Sequence, residues 1–303
     1  MLTSLAQLLD TIPTHWRLQK TQNGAALGTR CDIRFVDLGN TIIRMRQAGL
    51  QGPSVVFAAD PPVPLELYDD LIAALSDRYR VTVFELPGFG CSLPRIQYRF
   101  SMDAAVATVT RLLEQLPGGP HVLALPCVTG FISLGIARLR PDLVASLILL
   151  QTPNWQCAQQ WLHGRDPKHL LRTPLVGQIA LAAMRRKRIR QWYAGALADK
   201  SKVESFSLAT LDNFDHGACF CLASGFQDFL QDPGDHVAPV NQETLIIWGK
   251  SDPSHKLTNV QLSSELAPNS HIILFDDVGH FPELEATERF AKELDTFLSG
   301  ASR

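Results

Sequence analysis

The 303 residues are enough to bury a large core, either as one α/β domain with an insertion or as two domains. Hydrophobic residues make up 46% and charged ones 19%, which excludes a disordered chain, and a formal net charge of −2 argues against nucleic acid as the main partner. No stretch is long and apolar enough to span a bilayer, and Met1–Asp10 lacks the basic start and small-residue cleavage site of a signal peptide, so a cytoplasmic location is expected.

Residues 1–30 are predicted to be an N-terminal extension that opens with a short amphipathic helix, with Leu2, Leu5, Leu8 and Leu9 on one side. Ile33–Val36 and Thr41–Met45 are β-rich around Asp37-Leu-Gly-Asn40 and predict a hairpin. Ser54–Ala58 is a buried strand ended by Asp60-Pro-Pro-Val-Pro64. A helix follows over about 66–78, carrying Leu67, Leu71, Ile72 and Leu75 at helical spacing. Arg80–Glu85 is the next strand, Leu86–Ser92 a glycine-rich turn, and Met102–Leu116 a helix.

His121–Leu125 is a buried strand that breaks at Pro126-Cys127 into a helix whose apolar face is Phe131, Ile132, Leu134, Gly135 and Leu139. Ser146–Gln151 is another strand. Over 152–240 the strand–helix alternation stops and helical patterns dominate, for example Leu175–Tyr193 and Ser205–Phe214. The alternation then resumes with strand Glu243–Trp248, helix Leu257–Leu266, strand Ser270–Phe275 and helix Ala286–Leu298. Strands separated by helices of this length imply a mostly parallel sheet flanked by helices, because parallel neighbours need crossover connections. The core is expected over 31–151 and 241–303. The helical block 152–240 is expected to cap the carboxyl ends of the strands, where such sheets bind ligands.

The six cysteines, 31, 91, 127, 157, 219 and 221, show no metal-ligand spacing, and most are expected to be buried thiols. No phosphate-binding glycine motif occurs, so no cofactor and no metal are expected. Arg185–Arg190 is a basic run, read as a solvated helix face, with a docking patch for an acidic partner as the alternative.

This order of elements resembles the α/β-hydrolase superfamily, of the type with a helical cap between the sixth and seventh core strands. Four stretches carry the resemblance. Leu86-Pro-Gly-Phe-Gly-Cys-Ser92 is similar to the family's Pro-Gly-x-Gly-x-Ser turn, and the run from Cys127 to Pro141-Asp-Leu-Val144 keeps the family's spacing between nucleophile and helix end, with Leu125-Pro-Cys-Val-Thr129 standing in place of Gly-x-Ser-x-Gly. Trp248-Gly-Lys-Ser-Asp-Pro253 resembles the turn that bears the acid, and Val278-Gly-His-Phe-Pro282 the histidine loop.

The resemblance implies His280 as general base, Asp252 as the carboxylate that orients it, and Cys127 in the nucleophile position. A thiol beside an imidazole can ionise and is intrinsically more nucleophilic than a hydroxyl. An acyl-cysteine is itself a thioester, so exchange with a thioester is nearly balanced, whereas acylation from a plain oxoester is uphill. The expected activity is therefore hydrolysis or acyl transfer on a thioester, activated ester or lactone. The expected partner is a small-molecule acyl substrate, free or carrier-bound, and the sequence sets no oligomeric state.

Three departures from the family pattern qualify this. Leu125 and Thr129 replace glycines around the nucleophile, and leucine is expected to crowd the turn. Ala59-Asp60-Pro61-Pro62 aligns with the family's His-Gly-x-Pro, whose x residue donates its N–H to the oxyanion; Pro61 has none. The N–H of Val128 would remain, and Asp60 would stand at the site mouth as a turn residue or a second carboxylate. Trp155 and Trp161 are the expected substrate-binding residues of the cap. Two alternatives stay open: a lyase or cyclase of the same fold without acyl chemistry, and a ligand-binding protein on a hydrolase scaffold.

Overall fold

The computed structural model describes residues 2–22 and 32–300, with side chains of 13–22 outside the description. Helix α1 (Leu2–Gln22) precedes the hairpin β1 (Ile33–Asp37) and β2 (Thr41–Ala48). Then come β3 (Ser54–Ala58), α2 (Asp69–Leu75), β4 (Arg80–Phe84), α3 (Met102–Leu113), β5 (His121–Pro126), α4 (Gly130–Leu139) and β6 (Val144–Leu150). Four helices follow, α5 (Trp155–Arg165), α6 (Val176–Ala196), α7 (Val203–Asp215) and α8 (Leu222–Gln227). The chain closes with β7 (Thr244–Gly249), β8 (Ser270–Phe275), the single turn α9 (Pro282–Glu285) and α10 (Thr287–Gly300).

The sheet runs β1-β2-β4-β3-β5-β6-β7-β8, with the two-residue strand Leu93–Pro94 pairing with β2 as its ninth member. The β1–β2 and β2–β4 pairs are antiparallel, and every later pair is parallel. β3, β5 and β7 are buried along their whole length, which matches their continuous apolar runs. One apolar layer holds Phe57, Val83, Ile148 and Phe290, and the other holds Phe84, Leu123, Ile132 and Leu149.

Several expectations are corrected. The leucines of α1 do not face inward. Leu2, Leu5 and Leu9 are exposed and Leu8 is half-buried, while Ala6, Gln7 and Thr11 are buried. Polar anchors explain this: Gln7 Nε2 donates to Asp228, and Ser224 Oγ donates to Asp10 at 2.7 Å. Leu139 is also exposed at the end of α4.

Over 257–266 no α-helix forms. A 3₁₀ segment, Val260–Leu266, starts at an Asn259 cap, and Leu257 is 96% exposed, so nothing buries its first turn. The helix expected over 66–78 divides into a 3₁₀ turn, Leu65–Tyr68, and the short α2. The basic run is largely paired, with Arg186 on Asp215, Arg190 on Glu204 and Arg185 stacked over Phe214, so it behaves as a helix face. The described cysteines, Cys91, Cys127, Cys157, Cys219 and Cys221, are buried thiols, and Cys31 lies outside the described residues. Among the described residues no helix is long and apolar enough to cross a membrane.

Candidate active site

The site is assembled at the carboxyl ends of the parallel strands. β5 ends at Pro126, and Cys127 follows with φ +50°, a left-handed conformation that is strained for a side-chain-bearing residue. The turn is 3₁₀ from Cys127 to Thr129 before α4 begins at Gly130. Thr129 fits because its hydroxyl donates to the Pro126 carbonyl. Leu125 does not crowd the turn. Its side chain is fully buried in the layer that holds Phe131 and Ile132.

Asp252 lies three residues past β7. It accepts from the Ser254 N–H at 2.7 Å and from Gln151 Nε2 at 2.9 Å. His280 lies five residues past β8, and its Nδ1 meets Asp252 Oδ2 at 2.6 Å. The backbone N–H of His280 donates to the Ala196 carbonyl at the end of α6, which ties the histidine loop to the helices above. Gly279 is required there, because a Cβ would stand 2.3 Å from that same carbonyl oxygen. The Cys127 sulfur and a ring nitrogen of His280 lie within 4.8 Å of each other. The structure thus brings Cys127, His280 and Asp252 together, all buried.

Asp60 joins them. Its Oδ2 lies 3.1 Å from His280 Nε2, and the residue is buried. The Asp60 N–H points to the Tyr68 hydroxyl oxygen at 3.4 Å, so the oxyanion loop directs that donor away from the site. Pro61 lines the same cavity without any N–H to offer.

The charges follow from burial and neighbours. Burial pushes the Cys127 thiol up, and the adjacent His280 only partly offsets it. For His280, burial would favour the neutral ring, but Asp252, Cys127 and Asp60 together raise its proton affinity well above the ordinary histidine value. Burial would likewise raise Asp252, and the contact with His280 instead holds it well below the usual carboxylate range. His255 stacks on His280 with ring centroids 5.3 Å apart, and burial and the His280 charge lower its pKa to about 3.

Cys127, His255 and His280 bring one donor atom each within 4.8 Å of one another. The two imidazole planes lie 17° from parallel, so their in-plane lone pairs run side by side instead of converging on one ion. The arrangement is that of a packed ring pair more than of a chelate.

A cavity of about 100 Å³ opens beside Cys127 and His280, lined also by Asp60, Val128, Leu86, Phe89, Phe100, Phe226 and Phe229. Trp161 lines it as expected, together with Trp192. Trp155 does not. It packs edge-on against Phe131 at 5.3 Å, because its position in the first turn of α5 faces the sheet layer. Sequence reasoning missed Arg165 and His255. The motif Asp252-Pro-Ser-His255 was a possible signal for the latter, but no local pattern distinguishes Arg165 from the other cap arginines.

A family model described as alpha/beta hydrolase fold matches residues 63–287. Lipase 3 of Moraxella sp. is 25% identical over 238 residues, covering 77% of this chain and 73% of its own. A pimeloyl-[acyl-carrier protein] methyl ester esterase of Aeromonas hydrophila is 22% identical over 266 residues, covering 82% and 96%. Among solved structures, epoxide hydrolase A from Mycobacterium thermoresistibile superposes with a TM-score of 0.74 at 18% identity, covering 88% of this chain and 98% of that one. A putative acyltransferase from Salmonella enterica also gives 0.74 at 18% identity, covering 89% and 95%.

Proposed function

The chain belongs to the alpha/beta hydrolase fold family and is an enzyme of that fold; within it, we propose a hydrolase or acyltransferase that works through an acyl-cysteine on Cys127. The observation that carries this reading is the His280 ring, which meets Asp252 through Nδ1 at 2.6 Å and has the Cys127 sulfur within 4.8 Å of a ring nitrogen. The block 152–240 serves as the cap over this site. The substrate is a thioester, activated ester or lactone, because those donors acylate a thiol without a large uphill step.

Asp60 has a part in this reading. In the resting charge state His280 carries two protons, and its Nε2 faces the Asp60 carboxylate. Passing the Nε2 proton to Asp60 leaves the imidazole able to accept the proton of the thiol. The thiolate then attacks the carbonyl carbon, its electron pair moves onto oxygen, and the Asp60 carboxylic acid can donate to that oxyanion beside the Val128 N–H. A protonated carboxyl would thereby supply the donor that Pro61 lacks. Collapse expels the leaving thiol or alcohol with the proton from His280. Water or another acceptor then releases the acyl group.

The test is intact-protein mass after incubation with an acyl thioester such as acetyl-N-acetylcysteamine. The expected result is a mass gain of one acyl group on wild type and none on Cys127→Ala. No adduct with any activated acyl donor would refute it.

A second reading is favoured by the same Asp60–His280 contact. The two groups form an acid–base pair suited to a lyase or cyclase that makes no acyl-enzyme. In that case Cys127→Ala would retain turnover and His280→Ala would lose it.

A further inference from the structure

Three hydrogen-bond donors lie together in the cap, two on indoles that line the cavity and one on an arginine packed over those indoles. The Arg165 guanidinium sits over the indole faces of Trp161 and Trp192, with Cζ 5.9 Å and 5.3 Å from the two ring centroids. The two indoles meet edge-on at 6.4 Å and both line the cavity that holds Cys127 and His280. The Nε1 atoms of Trp161 and Trp192 are buried and have no hydrogen-bond partner among the described residues. An indole N–H only donates, so each is a buried donor that wants an oxygen. Leaving such a group unmet is unfavourable, and a ligand oxygen would relieve it.

Arg172 pairs with Asp166, Arg186 with Asp215 and Arg190 with Glu204, whereas among the described residues no carboxylate pairs with Arg165. It is exposed, yet close enough to the site for the charge of Asp252 to act on it. Cation–π contact with both indoles positions the fork and leaves N–H groups for a ligand.

We propose that Arg165, Trp161 and Trp192 form an anion subsite, so that the substrate is an acyl donor bearing a negatively charged oxygen group a short distance from the reacting carbonyl. The apolar wall around Phe226 and Phe229 takes the hydrocarbon between the two ends. The same chemistry fits a terminal carboxylate on the acyl chain or a phosphate on the leaving thiol. This deepens the acyl-cysteine reading and rests on it for the word substrate, whereas anion binding stands by itself.

Binding is measured first, by calorimetry at low ionic strength, with hexanoate against hexanamide and with 4′-phosphopantetheine against pantetheine. Wild type is expected to bind at least one anion about 10-fold or more tighter than its neutral partner. Arg165→Gln should abolish that preference, Arg165→Lys should retain part of it, and Trp192→Phe should weaken the anion more than the neutral ligand. Which pair shows the preference tells whether the charge belongs to the acyl chain or to the leaving group. No preference in either pair, or one that survives Arg165→Gln because protonated His280 attracts the anion, overturns the subsite.

Labelling of Cys127 by adipoyl- and hexanoyl-N-acetylcysteamine is then compared by intact mass. Failure of both to label, with the anion preference intact, rejects the acyl-cysteine and leaves the subsite standing.

Discussion

The Oδ2 atom of Asp60 lies 3.1 Å from Nε2 of His280, on the opposite side of the ring from the nitrogen that Asp252 holds at 2.6 Å. A single buried imidazole therefore has a carboxylate at each nitrogen and a thiol beside it. This places the proton on the ring and keeps the thiol neutral at rest, so the site is governed by where one proton goes.

The reactivity of Cys127 should report that proton. The thiol is raised by burial and, further, by Asp60, while His280 lowers it. Alkylation by iodoacetamide, followed by mass spectrometry against pH, should rise with a midpoint above the ordinary thiol range. Asp60→Asn removes a raising charge, so its midpoint should move down. His280→Ala removes the lowering partner, so its midpoint should move up. Identical profiles for all three proteins would show that neither group is coupled to the thiol.

Under the acyl-cysteine reading, Asp60→Asn and Asp60→Ala should differ in kcat. The amide can still donate to an oxyanion, whereas alanine cannot. Loss of one oxyanion donor costs about 10²–10³ in rate, so kcat for a thioester should fall by that order in Asp60→Ala and by less in Asp60→Asn. The comparison is made at saturating substrate, with equal thermal stability verified. Equal losses would remove the donor role from Asp60.

Pro61→Ala restores an N–H to the oxyanion loop. Because Pro61 lines the cavity beside Cys127, the added donor should raise the rate of Cys127 acylation, by up to about 10². Stopped-flow acylation with a chromogenic thioester measures it. An unchanged rate would mean that the oxyanion lies elsewhere.

Leu125→Ala tests whether the departure from glycine is a defect or a core residue. The side chain is fully buried among Phe131, Ile132 and Leu149, so truncation should cost about 2–5 kcal/mol of stability. Urea unfolding gives the number. A neutral or stabilising effect would mean that leucine strains the turn.

Glu283 should make stability depend on pH. It is buried with Oε2 unpartnered among the described residues, and burial raises its carboxyl to about 8. A folded-state pKa above the unfolded value means that the folded chain binds the proton more tightly. The contribution is thus fully present below the ordinary carboxylate pKa and is lost as pH rises to about 8. Glu283→Gln should match wild type near pH 4 and become more stable by a growing margin up to pH 8, on the order of a few kcal/mol. Tm measured against pH for both proteins checks this, and a constant offset would contradict it.

Much of the fold was legible from local chemistry. Ser54–Ala58 and Ser270–Phe275 form strands with the expected bounds because a continuous β-branched run between turn residues has few other states. The family resemblance of their short motifs pointed to Cys127, Asp252 and His280, and parallel strands deliver the loops that carry them to one end of the sheet. What lay beyond the sequence was set by contacts between distant segments. Polar anchors on Asp228 and Ser224, far along the chain, leave the leucines of α1 outward. Trp155 meets Phe131 and not the cavity because α5 packs with that face on the sheet layer.

By itself, then, the order of strands, turns and motif residues determined an α/β sheet with a thiol, an imidazole and a carboxylate at its carboxyl edge. Periodicity and turn chemistry act over a few residues, and that information is local. Only the tertiary structure placed Asp60 on His280, across 220 residues of chain, and set Arg165 of α5 against Trp192 of α6. Those relations depend on how loops and helices close over the sheet, and it is they that bear most on the proton and the substrate charge.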